Sequence, residues 1–127
     1  MAKKILVVDD DQDLREATAV ILAGAGYEVW QASSAKEAQL KLATHLPDLV
    51  LLDVMMETDT EGFHLAYQIR VNPRLKNVPI IMLTSMEEKM GEVIEFENDK
   101  EFLPVQAFLR KPLDAKVLRE KVAELVK

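Results

Sequence analysis

The stretch ILVVDDD, residues Ile5 to Asp11, joins four large apolar residues directly to three carboxylates. The apolar run is continuous rather than alternating, which is typical of a parallel β-strand covered on both faces. Adjacent carboxylates prefer water, and two unit charges about 4 Å apart repel by roughly 4 kcal/mol near a protein surface. A fold that holds these acids together must therefore offset their repulsion.

Similar apolar runs recur along the chain and predict further strands. Three are continuous, at Leu49–Leu52, Ile80–Leu83 and Ala107–Leu109, and a weaker one at Glu28–Ala32 predicts an edge strand. Four helical patterns lie between and after them. Their signals are the spacing of Leu14, Ala17, Ile21 and Leu22, the capping box of Ser34 and Glu37, the segment from Gly62 to Arg70, and the N-cap Asp114.

Strands and helices alternate to the end of the sequence, which predicts an α/β fold with a doubly wound parallel sheet and helices on both faces. A length of 127 residues predicts one domain, 1–127, with no output domain. The absence of cysteine fits a reducing cytoplasm, and no apolar run is long enough to span a membrane. A net charge of −6 without a basic stripe argues against direct nucleic-acid binding.

Polar residues follow four of the predicted strands at the point where each strand ends. Asp9 and Asp10 follow the first, Asp53 the third, Thr84 the fourth and Lys111 the fifth. Ligands bind at the carboxyl ends of the strands in open parallel sheets, so the fold is expected to gather these side chains. Carboxylates around one point predict a hard divalent cation such as Mg²⁺.

Four motifs, ILVVDDD, DLVLLD, PIIMLTS and FLRKP, resemble those of the receiver domain of two-component response regulators. They occur in the family's order and spacing across essentially the whole chain. The resemblance implies a flavodoxin-like sheet of five strands in the order 2-1-3-4-5.

The resemblance also assigns roles to individual residues. Asp53 matches the phosphoacceptor, and Asp9 and Asp10 match the acidic pair that binds Mg²⁺ or Mn²⁺. Asp10 and Asp53 are expected to bind the metal directly with the backbone carbonyl of Met55, and Asp9 through a metal-bound water.

Three further residues match family positions around the phosphoryl group. Thr84 matches the hydroxyl that hydrogen-bonds to it, Lys111 the lysine that pairs with it, and Phe108 an aromatic that switches orientation with Thr84. The resemblance thus implies a signalling module rather than a turnover enzyme. Its expected partners are a sensor histidine kinase or histidine phosphotransfer protein, and a downstream protein that docks on the fourth helix, fifth strand and last helix.

Two segments depart from the family pattern. In residues 54–62, Glu57 replaces the usual proline and one residue is inserted before Gly62, which makes the loop after the acceptor more acidic. Residues 86–105, expected to hold the fourth helix, are longer than usual and lack the family's Gly-Ala motif. The second departure places the choice of partner in question.

Two alternatives to a phosphorylated receiver remain open from the sequence. A haloacid-dehalogenase-like phosphatase also uses aspartates at a strand end, but its D-x-D-x-T/V motif fails here because Asp13 occupies the last position. A receiver-like scaffold without phosphorylation is the other. The sequence leaves open a monomer or a weak dimer, the cognate kinase, the pathway, and whether the chain is a whole protein.

Overall fold

Five strands and four helices make up the described part of the chain. The structure is a computed structural model that describes residues 2–53, 61–84, 107–110 and 114–126, without the side chains of residues 61–63, 84, 107, 108 and 110. The strands are β1 (Lys4–Val8), β2 (Glu28–Ala32), β3 (Leu49–Asp53), β4 (Ile80–Thr84) and β5 (Ala107–Arg110). The helices are α1 (Gln12–Gly24), α2 (Ala35–Thr44), α3 (Glu61–Val71) and α4 (Ala115–Leu125).

The predicted strands are confirmed, and four of the five extend one residue beyond the apolar run that predicted them. They form one sheet in the order β2-β1-β3-β4-β5, in which every neighbouring pair is parallel. This order confirms the flavodoxin-like prediction, including the position of β2 at an edge. The helix predicted within residues 86–105 lies outside the described residues.

Alternate residues of the strands face two separate cores, one on each side of the sheet. One core packs β-residues such as Leu6, Val50 and Met82 against α2 and α3. The other packs Leu51 and Ile81, among others, against α1 and α4. Because both faces are covered, the central strands contain almost no polar residue until they reach their carboxyl ends.

Three of the helices begin at a side chain that accepts a backbone hydrogen bond. Asp11 accepts from the amide of Leu14 and caps α1, and Ser34 accepts from the amide of Glu37 and caps α2. The predicted cap Asp114 is confirmed at the start of α4. Such caps satisfy amides that have no partner within the helix.

The buried face of α1 differs from the one that its apolar spacing indicated. Ala17 is exposed, whereas Thr18 is buried and its hydroxyl donates to the carbonyl of Leu14 at 2.8 Å. The hydroxyl can be buried because this bond satisfies it within the helix. On the other three helices the apolar residues at helical spacing face the cores. Those buried are Ala38 and Leu42 of α2, Leu65, Ala66 and Ile69 of α3, and Leu118 and Val122 of α4. Of the helices described, none has the length and apolar character needed to cross a membrane.

We expect Ser34→Ala to lower the free energy of unfolding by about 1 kcal/mol, since it leaves the amide of Glu37 without its cap. Ser33→Ala is a matched control, because the Ser33 hydroxyl bonds to the carboxylate of Glu37 rather than to the helix backbone. Urea unfolding of both variants measures the difference. Equal losses would show that the cap contributes nothing specific.

Candidate functional site

The register of the sheet brings two of the predicted site residues to neighbouring positions. Val8 of β1 lies opposite Leu52 of β3, so Asp9 and Asp53 follow as the next residues at the same edge. Leu83 of β4 lies opposite Asp53. The carboxylates of Asp9 and Asp53 therefore lie side by side at the carboxyl ends of β1 and β3.

The side chains of Asp9, Asp10 and Asp53 converge at this edge. One carboxylate oxygen from each lies within 4.8 Å of those from the other two. Asp9 and Asp53 are almost fully buried, with exposed fractions of 1% and 2%, whereas Asp10 is exposed. Two acids are thus withdrawn from water while the third faces it, which leaves the cluster open to an ion from solution.

Backbone hydrogen bonds fix the turn that carries Asp9 and Asp10. The amide of Asp9 donates to the carbonyl of Ala32 at the end of β2, at 3.1 Å. One carboxylate oxygen of Asp9 accepts from the amide of Asp11 at 3.0 Å. Asp11 then caps α1, so the turn passes from strand to helix within three residues. The position of Asp9 is therefore fixed by contacts to β2 and to the start of α1.

Arg15 is a residue near the site that the sequence did not single out. Its Nη1 donates to the backbone carbonyl of Asp9 at 3.0 Å, and its Nε donates to the Oε1 of Gln31 at 3.1 Å. The contact to Gln31 crosses from α1 to β2, and no local pattern in the sequence predicts it.

The other predicted site residues are placed only in part. Thr84 ends β4 and lies opposite Arg110 of β5, and Phe108 lies opposite Met82, so their backbones belong to the sheet. Met55 and Lys111 lie outside the described residues, as does most of the altered loop 54–62. The proposed roles of these four residues remain predictions.

A cavity of about 400 Å³ lies between α2 and α3, away from the acidic cluster. Its walls include Leu42, Leu65, Ile69 and Arg74, but none of the three clustered aspartates. The three clustered aspartates therefore lie at an open edge of the sheet rather than in this cavity. A small hydrated ion needs no deep pocket, so the two observations agree.

The three clustered donors suit a hard divalent cation. All are carboxylate oxygens, the ligands that Mg²⁺ and Mn²⁺ accept, and no cysteine is available anywhere in the chain to favour a softer metal. Mg²⁺ usually keeps several waters and takes one or two carboxylates together with phosphate oxygens. A site with one exposed acid leaves room for both, so the residues present fit this ion.

Sequence comparison places the chain among signalling proteins. The family model described as the response regulator receiver domain matches residues 5–123. The chain is 34% identical over 125 residues to the transcriptional regulatory protein GltR of Pseudomonas aeruginosa, covering 98% of this chain and 49% of GltR. It is also 34% identical to the alkaline phosphatase synthesis transcriptional regulatory protein PhoP of Bacillus subtilis, covering 92% and 48%. The chain thus spans about half the length of these regulators.

Solved structures match over nearly the whole chain. The chemotaxis response regulator CheY4 of Vibrio cholerae has a TM-score of 0.84 at 27% identity, covering 98% of this chain and 99% of CheY4. A CheY-like receiver domain protein of Methanospirillum hungatei has a TM-score of 0.82 at 29% identity, covering 98% and 93%. Both structures therefore share the fold of nearly the whole chain.

Proposed function

Because the chain belongs to the family of response regulator receiver domains, we propose that Asp53 is its phosphoacceptor and that Asp9 and Asp10 complete a Mg²⁺ site beside it. The family supports a phosphoacceptor function in two-component signalling, while the roles of individual residues are our proposal. The observation that carries it is the convergence of three carboxylate oxygens within 4.8 Å at the carboxyl edge of the sheet.

Asp53 is assigned as the acceptor because it matches the family's phosphoacceptor, and burial further distinguishes it from Asp10. Asp53 ends the central strand β3 and is almost fully buried, so its carboxylate is held in one position and is poorly hydrated. A fixed, partly desolvated carboxylate is a better nucleophile than a hydrated one at the surface. Asp10 is exposed and is better suited to receive an ion from solution.

The proposed metal ligands are Asp10 and Asp53, with Asp9 acting through a water and Met55 contributing its backbone carbonyl. When bound, Mg²⁺ or Mn²⁺ supplies positive charge that offsets the carboxylate repulsion and attracts phosphoryl oxygens. One oxygen of the buried Asp9 carboxylate accepts a hydrogen bond from the amide of Asp11, which orients this carboxylate within the turn.

The proposed reaction transfers a phosphoryl group to a carboxylate oxygen of Asp53. The bond from this oxygen to phosphorus forms as the bond from phosphorus to a partner's histidine nitrogen breaks, and the nitrogen keeps the electron pair. The ammonium of Lys111 balances charge on the transferred oxygens, and the hydroxyl of Thr84 donates to one of them. Positioning and charge account for most of the catalysis in such transfers.

The proposed partners follow from this chemistry. The donor is a sensor histidine kinase or a histidine phosphotransfer protein, and the proposed location is the cytoplasm. We propose that the new phosphoryl group draws Thr84 inward and that Phe108 turns with it, which changes a docking face formed by residues 86–105, β5 and α4. This is a population shift between two packings of the same domain.

Incubation of the chain with acetyl phosphate and Mg²⁺ tests the proposal. We expect intact-mass spectrometry to show one phosphoryl group per chain, and peptide analysis after borohydride trapping to place it at Asp53. Chelation of the metal with EDTA is expected to prevent labelling, because the cluster then repels the incoming anion. No labelling with Mg²⁺ present would support the scaffold alternative, and repeated turnover of phosphate monoesters would support the phosphatase alternative.

A further inference from the structure

Arg15 of α1 connects the acidic turn to the edge strand β2. Its guanidinium reaches the carbonyl of Asp9 through Nη1 and the side chain of Gln31 through Nε, at 3.0 and 3.1 Å. The side chain is half-buried. A guanidinium holds two acceptors in a fixed relative geometry, which a flexible ammonium does not.

The contacts of Asp9 show what this bridge fixes. The amide of Asp9 donates to the carbonyl of Ala32, and its carbonyl accepts from Arg15, which is itself bound to Gln31. Gln31 and Ala32 are consecutive residues of β2, opposite Val7 and Val8 of β1. The peptide groups on both sides of Asp9 are therefore tied to one short segment of the edge strand.

The charge of Arg15 does not by itself favour cation binding. Its guanidinium contacts the main chain of Asp9, so its positive charge lies close to the carboxylate cluster and repels a divalent cation. The guanidinium of Arg15 therefore weakens metal binding, unless the geometry that it gives to the turn strengthens binding by more than its charge weakens it. The charge of Arg15 and the geometry that it imposes therefore have opposite effects on metal affinity. Whether the affinity rises or falls when Arg15 is replaced shows which effect is larger.

We propose that Arg15 is a positioning residue for the metal site, which it supports through the carbonyl of Asp9 and the side chain of Gln31. The inference rests on the proposed function, since it concerns the same site. Arg15 keeps the turn that carries Asp9 and Asp10 in the arrangement that brings their carboxylates toward Asp53. It touches neither the metal nor the phosphoryl group.

The test is a titration of the chain with Mn²⁺. Binding is measured by the decrease in the electron paramagnetic resonance signal of free Mn²⁺, so the test needs no phosphoryl transfer. We expect Arg15→Gln to weaken Mn²⁺ binding about 10-fold, which is typical when a supporting hydrogen bond to a metal site is removed. Simple electrostatics predicts the opposite, tighter binding, because a nearby positive charge is lost. Arg119→Gln is the matched control on the exposed surface of α4, and we expect its affinity to stay within about twofold of wild type.

Two further variants keep the test decisive if Arg15→Gln folds poorly, as judged by circular dichroism. Arg15→Lys retains the charge, but its single flexible ammonium does not hold two acceptors in a fixed relative geometry, so we expect binding weaker than wild type despite the same net charge. Gln31→Ala removes one end of the bridge, and its effect should be smaller and not additive with that of Arg15→Gln.

The outcomes separate this inference from the proposed function. Wild-type chain that fails to bind Mn²⁺ would overturn both. Wild type that binds, together with Arg15→Gln and Arg15→Lys variants that bind equally well or more tightly, would overturn only the role of Arg15. Additive effects of the Arg15 and Gln31 substitutions would show that the two residues act separately, which also contradicts the bridge.

Discussion

Asp53→Asn is expected to reduce phosphoryl labelling by acetyl phosphate and Mg²⁺ to background. The amide has nearly the same shape as the carboxylate but lacks the anionic oxygen that forms the bond to phosphorus. Intact-mass spectrometry of the variant and the wild type under identical conditions measures the effect. Asp48→Asn is the matched control, because Asp48 precedes β3 at the opposite edge of the sheet and accepts a hydrogen bond from the amide of Lys4.

The variant must remain folded for this result to identify the acceptor. Replacing Asp53 removes one of three negative charges that lie within 4.8 Å of one another. In EDTA we therefore expect the free energy of unfolding of Asp53→Asn to equal or exceed that of wild type, because repulsion within the cluster is lower. Mg²⁺ should also raise the free energy of unfolding of wild type more than that of the variant. The reason is that the native state of the variant lacks one of the proposed metal ligands and binds the ion more weakly.

Retention of the label in Asp53→Asn would contradict the assignment. The label would then lie on another residue, and the position found by peptide analysis would become the candidate acceptor. If Asp48→Asn lost the label as well, the loss would reflect a general change in the protein rather than removal of the acceptor.

The strands were predictable from the sequence because local signals agree with the global fold, whereas their order was implied by the resemblance to receiver domains. The apolar runs before Asp9 and Asp53 are short and continuous, as is typical of strands buried on both faces. The same runs end at acids, so the sequence also predicted where the three carboxylates meet. Asp53 proved to be the last residue of β3 rather than the first residue after it, and this difference of one residue leaves the site unchanged.

Contacts between distant segments were not predictable in this way. The apolar spacing of α1 placed Ala17 on the buried face, but Thr18 is buried there instead. Thr18 can be buried because its hydroxyl donates a hydrogen bond to the helix backbone. The bridge from Arg15 to Gln31 depends on how α1 lies against β2, and neither residue is apolar. Sequence periodicity reports burial, whereas such polar contacts depend on tertiary packing.

Leu51→Ala is expected to lower the free energy of unfolding by about 3 kcal/mol, within the range of about 2–5 kcal/mol seen for buried leucines. Leu51 is fully buried in the central strand β3, between Val7 and Ile81 of the neighbouring strands. The alanine removes apolar atoms and leaves a cavity that the sheet cannot close, because both neighbouring strands are fixed by their own hydrogen bonds.

Leu40→Ala is the matched control for this loss, because Leu40 lies on α2 with 65% of its surface exposed. We expect a change of less than about 0.5 kcal/mol, since little burial is lost and alanine favours the helix. Urea unfolding followed by circular dichroism measures both variants, and an unchanged slope with denaturant would show that the unfolded state is unaffected. Similar losses in the two variants would contradict the packing of β3 between two cores. Because β3 ends at Asp53, the stability of Leu51→Ala also tests whether the packing of β3 supports the position of Asp53.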